Sequence, residues 1–175
     1  SMADQLTYVL DAGNSRIKLG TFRGDELENV AYFSQDDWTN MPLEAEAASA
    51  TIMSVSLAEE ALAAHFSKAG IGNVRVFNAK SALPFQTRYQ QPESLGSDRK
   101  MLIHGANQLY AGKNKLIIGM GSCITYDLVT AAGEHLGGDI SPGMHMRWEA
   151  MHRLTARLPL VGMPEQLVSY GRNTF

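Results

Sequence analysis

A single cysteine, Cys123, stands among 175 residues. No internal disulfide can form, and one thiol fits a reducing compartment, so a cytoplasmic protein is expected. No apolar run approaches the roughly 20 residues that a membrane-spanning helix needs. The N-terminus lacks a charged stretch followed by an apolar one, so no secretory leader is expected, and Ser1 ahead of Met2 reads as a cloning remnant. Positive charge is not in excess: 15 Lys and Arg against 18 Asp and Glu give a formal charge of −3. Such a balance points away from nucleic acid and from anionic membrane surfaces as partners. The five histidines show no close ligand spacing, and His145 and His152 read as exposed helix residues. Internal repeats and low-complexity segments are absent.

What is present is an ordinary globular composition, 45% hydrophobic and 19% charged, sufficient for a sizeable core. The chain is organised around Tyr8-Val9-Leu10-Asp11-Ala12-Gly13-Asn14-Ser15-Arg16-Ile17-Lys18-Leu19-Gly20. An apolar strand reaches a carboxylate, turns on small polar residues and returns with alternating apolar and basic positions, which predicts a β-hairpin. Gly13 lets backbone approach a ligand, and Asn14 and Ser15 add short donors, so the turn suits an anion. Asp11 repels phosphate but can hold Mg²⁺, which bridges to phosphate oxygens. The same residues also serve an ordinary hairpin turn.

Further along, strands are expected over 27–33, 50–55 and 73–78, with helices over 43–48 and 57–69. Glu59 and Glu60 complement the positive end of the second helix, Leu62 and Phe66 share its buried face, and Gly70 stops it. Trp38 is expected to pack against the sheet. The order points to an α/β domain with a mixed sheet.

Gly96-Ser97-Asp98-Arg99 then opens a helix through Leu109. Ser97 and Asp98 are routine helix-start residues. They also place a carboxylate where the helix dipole favours its charged form. A weak base of that kind suffices for phosphoryl transfer through a loose transition state, and Arg99 can pair with a substrate carboxylate. A second hairpin is expected near 116–129, with Asp127 inside its return strand. The Gly137–Gly143 stretch reads as a tight turn, followed by a helix whose Met144, Trp148, Met151 and Leu158 pack as core before Pro159 ends it.

Two hairpins with small polar turns, each opening a βββ-type half, mark the acetate and sugar kinase, Hsc70 and actin superfamily. More narrowly, the chain resembles the type III pantothenate kinases. Four segments carry the likeness, in order and spacing: Asp11-Ala12-Gly13-Asn14-Ser15, Gly96-Ser97-Asp98-Arg99, Gly121-Ser122-Cys123-Ile124-Thr125-Tyr126-Asp127, and Gly137-Gly138-Asp139-Ile140-Ser141-Pro142-Gly143 followed by Leu154-Thr155-Ala156-Arg157-Leu158-Pro159.

The resemblance implies an α/β, ribonuclease H-like actin/sugar-kinase fold of two βββαβα-like halves. The first would span 1–110, and the second, 111–175, would be incomplete at its C-terminus. It implies ATP-dependent phosphorylation of pantothenate to 4′-phosphopantothenate, the first step toward coenzyme A, in a homodimer. Asp11 through Lys18 (Asp11, Ala12, Gly13, Asn14, Ser15, Arg16, Ile17, Lys18) match the family's ATP phosphate loop, with Asp11 near Mg²⁺ and Asp127 a weaker metal candidate. Asp98 matches the general base. Tyr89, Gly96, Ser97, Asp98, Arg99 and Thr174 match pantothenate contacts, and Ser122 stands where a threonine usually touches ATP. Gly119 stands where the family usually has an aspartate that holds a monovalent cation, K⁺ or NH4⁺, so either a backbone carbonyl substitutes there or the cation dependence is altered. A non-catalytic nucleotide or pantothenate binder, or a sibling small-molecule kinase, is the alternative.

Overall fold

Strand β1 (Leu6–Ala12) runs through the middle of the first sheet, and its side chains alternate between core and partial exposure. The computed structural model describes residues 4–166 and Gly171. Strand β2 (Ile17–Arg23) pairs antiparallel with β1, and β3 (Glu26–Phe33) antiparallel with β2. Strands β4 (Ser49–Ser54) and β5 (Val74–Val76) extend the other side in parallel, giving the order β3-β2-β1-β4-β5. This is the mixed sheet expected of the first half.

Helix α1 (Glu59–Lys68) links the two parallel strands. Its Leu62 and Phe66 are fully buried against Tyr8, Leu10 and Ile52, as the four-residue spacing predicts. Ile71 N–H donates to Phe66 O and Gly70 N–H to Ser67 O, the pair of hydrogen bonds that terminates a helix on a glycine. Trp38 packs at the rim of this core with its ring edge-on to His65.

The helix expected over 43–48 does not form. Tyr8 Oη accepts the Glu44 N–H at 3.0 Å. Ala48 N–H bonds to Leu6 O at 2.8 Å. The backbone groups that a helix would use are taken by β1, and Met41 and Ala47 enter the core as single residues.

The second sheet is β6 (Lys115–Met120), β7 (Cys123–Val129) and β8 (His135–Pro142), all antiparallel. The 137–143 stretch, expected as a turn, is therefore mostly strand, because it pairs with β7 along its length. Thr125, Asp127, Val129 and His135 are buried, whereas Leu116, Ile118, Met120 and Leu128 are exposed. The buried side of this sheet is thus substantially polar.

Helix α2 (Ser97–Leu109) begins where expected, and α3 (Met144–Arg153) follows β8. The expected Met and aromatic core stripe on α3 is not realised. None of its residues is buried, Met144 and Met151 are each nearly half exposed, and Leu158 lies past the helix end. The chain divides into two compact units, residues 1–83 with 91–100, and 84–90 with 101–175. The exchange falls inside α2 between Lys100 and Met101, ahead of the anticipated division at 110.

Candidate active site

In the first unit, the β1–β2 turn holds the first group of expected residues. Asp11 and Lys18 are cross-strand partners, so the hairpin register alone brings their side chains together. Lys18 Nζ lies 3.3 Å from Asp11 Oδ2, both about two-fifths exposed. An exposed pair of this kind is worth at most about 1 kcal/mol, so Lys18 is only weakly held on Asp11.

Gly13 N–H bonds to Arg16 O at 3.0 Å and closes the turn. Asn14, Ser15 and Arg16 are exposed, with the Arg16 guanidinium 5.1 Å over the Tyr32 ring. Ala12 and Ile17 are fully buried and anchor both ends of the turn in the core.

Asp98 belongs to the same unit, in the first turn of α2 and exposed. Its carboxylate folds back over Gly96: a Cβ added at Gly96 would lie 2.7 Å from Asp98 Oδ1. The glycine in the Gly-Ser-Asp-Arg sequence is thereby explained by close approach, since any side chain there would displace the carboxylate. Ser97 is half-buried, and Arg99, like the next residue Lys100, is buried at 4% and 1% exposure. Lys100 Nζ donates to Ala79 O at 3.2 Å. Reading the sequence did not single out Lys100, because nothing in a helix-start pattern distinguishes a buried lysine from a solvated one.

The second unit holds Tyr89, Ser122, Gly119 and Asp127. Ser122 is exposed in the β6–β7 turn, and its carbonyl accepts the Gly143 N–H at 3.0 Å. A Cβ at Gly143 would lie 2.7 Å from Gly121 O, so the turn and the end of β8 pack backbone to backbone.

At Gly119 an added Cβ would meet Thr125 Oγ1 at 2.6 Å and Leu102 Cδ1 at 2.8 Å. The space a carboxylate stem would need is filled by a hydroxyl and a methyl group. The residues present therefore do not fit a carboxylate-bound monovalent cation at this position.

Asp127 is buried and lies 2.7 Å from His135 Nε2. Sequence spacing does not reveal His135, because Thr87, on its other ring nitrogen, lies 48 residues earlier in the chain. Among the described residues no three His, Cys, Asp or Glu side chains gather as a metal cage. For Mg²⁺ this is no obstacle, since one carboxylate, phosphates and waters commonly complete its shell. Asp11, partly exposed at the end of β1, fits that pattern. Thr174 lies outside the described residues. A depression of about 420 Å³ lined by Phe85, Asn107, Lys115 and Glu134 contains none of the expected site residues. The expected polar and charged side chains lie at the turns and the α2 start instead.

An α/β scaffold with a small polar hairpin turn in each sheet and a carboxylate at a glycine-preceded helix start defines the class. The family model of type III pantothenate kinase matches residues 7–175. A type III pantothenate kinase of Christiangramia forsetii is 38% identical over 165 residues, covering 89% of this chain and 65% of that protein. Those of Flavobacterium johnsoniae and Flavobacterium psychrophilum are 32% and 34% identical, each over 97% of this chain and 70% and 71% of theirs. The chain belongs to the type III pantothenate kinase family. It spans 65% to 71% of the length of these relatives. Among solved structures, MreB 5 of Spiroplasma citri bound to AMPPNP overlaps 86% of this chain and 56% of its own at 10% identity, with a TM-score of 0.43, too loose a likeness to build on. No helix among the described residues is long and apolar enough to cross a membrane.

Proposed function

We propose that this chain carries the kinase chemistry of its family: transfer of the γ-phosphoryl group of ATP to the primary hydroxyl of pantothenate. The observation that carries the reading is Asp98, an exposed carboxylate at the start of α2, set over a glycine that no other residue can replace without moving it. In the proposed reaction the pantothenate hydroxyl oxygen bonds to the γ-phosphorus as the bond to the bridging oxygen of ADP breaks. The hydroxyl proton passes to the Asp98 carboxylate. Because the transition state is loose, positioning and charge neutralisation matter more than base strength.

The turn from Asp11 to Lys18 supplies the ATP side. Gly13 keeps the turn free of a side chain, Asn14 and Ser15 offer short polar groups, and Lys18 is held ready by an ion pair that costs little to break. Mg²⁺, when bound at Asp11, neutralises phosphate charge. Ser122 serves as a second nucleotide contact and Tyr89 as an aromatic pantothenate contact. Ser97 and Thr174 are assigned to the same substrate, and Arg99 to its carboxylate. The assembly is proposed as a homodimer, and the compartment as the cytoplasm. The monovalent cation has no carboxylate at residue 119 and no role in this scheme.

An ADP-release assay with pantothenate tests the reading. Asp98→Asn is expected to lower turnover by about 10²- to 10⁴-fold, the usual range for a general base. Pantothenate binding by calorimetry is expected to persist. Wild-type protein that binds pantothenate and ATP yet releases no ADP would make this chain a binder.

A further inference from the structure

In the segment up to Tyr89, the partly buried Phe85, Thr87 and Tyr89 alternate with exposed neighbours, and Thr87 forms an isolated bridge to His135. All three meet His135. The His135 N–H bonds to Gln86 O at 2.8 Å and the Arg88 N–H to His135 O at 2.9 Å, laying this segment parallel to the start of β8. The imidazole meets the Phe85 ring edge-on at 6.1 Å and the Tyr89 ring, tilted 43°, at 5.1 Å. His135 Nε2 lies 2.7 Å from Asp127 Oδ1, and Nδ1 lies 2.7 Å from Thr87 Oγ1. Thr87 Oγ1 also accepts the Tyr89 N–H at 3.1 Å.

Both ring nitrogens thus lie within hydrogen-bond distance of an oxygen, and the neutral Nε2–H tautomer joins all of these contacts into one chain. With Nε2–H donated to the Asp127 carboxylate, Nδ1 accepts the Thr87 hydroxyl proton, and the Thr87 oxygen accepts from Tyr89. Donation runs from the Tyr89 N–H through Thr87 and His135 to the Asp127 carboxylate. His135 and Asp127 are 0% and 1% exposed. Burying such a pair costs several kcal/mol of desolvation, and an apolar pair of similar volume would fill the space as well. A fully satisfied buried network instead selects one arrangement of the groups attached to it. Here those groups are the backbone and the ring of Tyr89.

We propose that Asp127, His135 and Thr87 form a positioning relay that sets Tyr89 for the pantothenate chain. They are positioning residues, acting on substrate affinity and not on phosphoryl transfer. The proposal rests on the reading of Tyr89 as a pantothenate contact.

The test uses the 175-residue chain with 3-fluorotyrosine at its six tyrosines, the Tyr89 resonance being assigned by Tyr89→Phe. Thr87→Val, which keeps shape and removes the hydroxyl, is expected to shift the Tyr89 fluorine resonance. It is expected to raise the pantothenate KM by about 5- to 10-fold, the worth of one hydrogen bond, with kcat and the ATP KM within about 2-fold of wild type. Thr87→Ser is expected to restore both the resonance and the KM. An unmoved resonance overturns the relay. So does a KM rise shared equally by ATP and pantothenate, or no rise at all. The resonance reports on the relay even in protein that does not turn over pantothenate, so its failure and that of the kinase reading are told apart.

Discussion

Asp98 and Gly96 are coupled by a close approach: the carboxylate oxygen occupies the space where a side chain at 96 would begin, 2.7 Å from the ideal Cβ position. Gly96→Ala must therefore swing the Asp98 carboxylate away while leaving it on the protein. We expect kcat to fall by about 10-fold or more, in keeping with the sensitivity of reaction rates to small displacements of a catalytic group. Stability should change by less than about 1 kcal/mol, because residue 96 is exposed. Assay of ADP release beside thermal unfolding checks both; wild-type kcat in the alanine variant would separate the glycine from the base.

Asp11→Asn removes the carboxylate proposed to face Mg²⁺ and also releases Lys18. The expected outcome is a fall of about 10²-fold in kcat/KM for MgATP, with the midpoint of thermal unfolding nearly unchanged, since an exposed pair stabilises by at most about 1 kcal/mol. Titration with Mg²⁺ should show a weaker dependence in the variant.

Gly119 predicts indifference to monovalent cations. Turnover in potassium chloride and in sodium chloride of equal ionic strength should agree within about 2-fold, since the site lacks its hard oxygen ligand. Gly119→Asp should not create potassium activation. Its stem meets Thr125 and Leu102, so it should destabilise the chain by about 1–3 kcal/mol, as overpacking does.

His135→Leu leaves the Asp127 carboxylate buried without its imidazole, and the loss should be about 3–5 kcal/mol. Replacing both residues with apolar ones should recover much of that loss. Denaturant unfolding of the two single variants and the double variant measures the coupling, and strict additivity would contradict it.

Much of the first unit was legible in the sequence. Alternation placed β1 and β2, the four-residue spacing of Leu62 and Phe66 oriented α1, and Gly96-Ser97 marked the start of α2. These are local patterns, and locality is what a single sequence encodes. The 43–48 segment misled because its helix-forming residues had a stronger distant partner, the Tyr8 hydroxyl. Helix α3 misled for the opposite reason: apolar spacing states which residues share a face, not whether anything covers it.

The sequence by itself determined the strand-and-turn units and the residue types available for phosphate, metal and proton handling, because these rest on neighbours within a few positions, and it determined the family through matching segments in order along the whole chain. Only the tertiary structure decided that Asp98 lies over Gly96 and that Thr125 and Leu102 fill the place of a missing carboxylate. It alone decided that His135 joins Asp127 to Thr87 across 48 residues of chain. Those relations depend on side chains brought together by sheet pairing and packing, and no spacing along the chain records them.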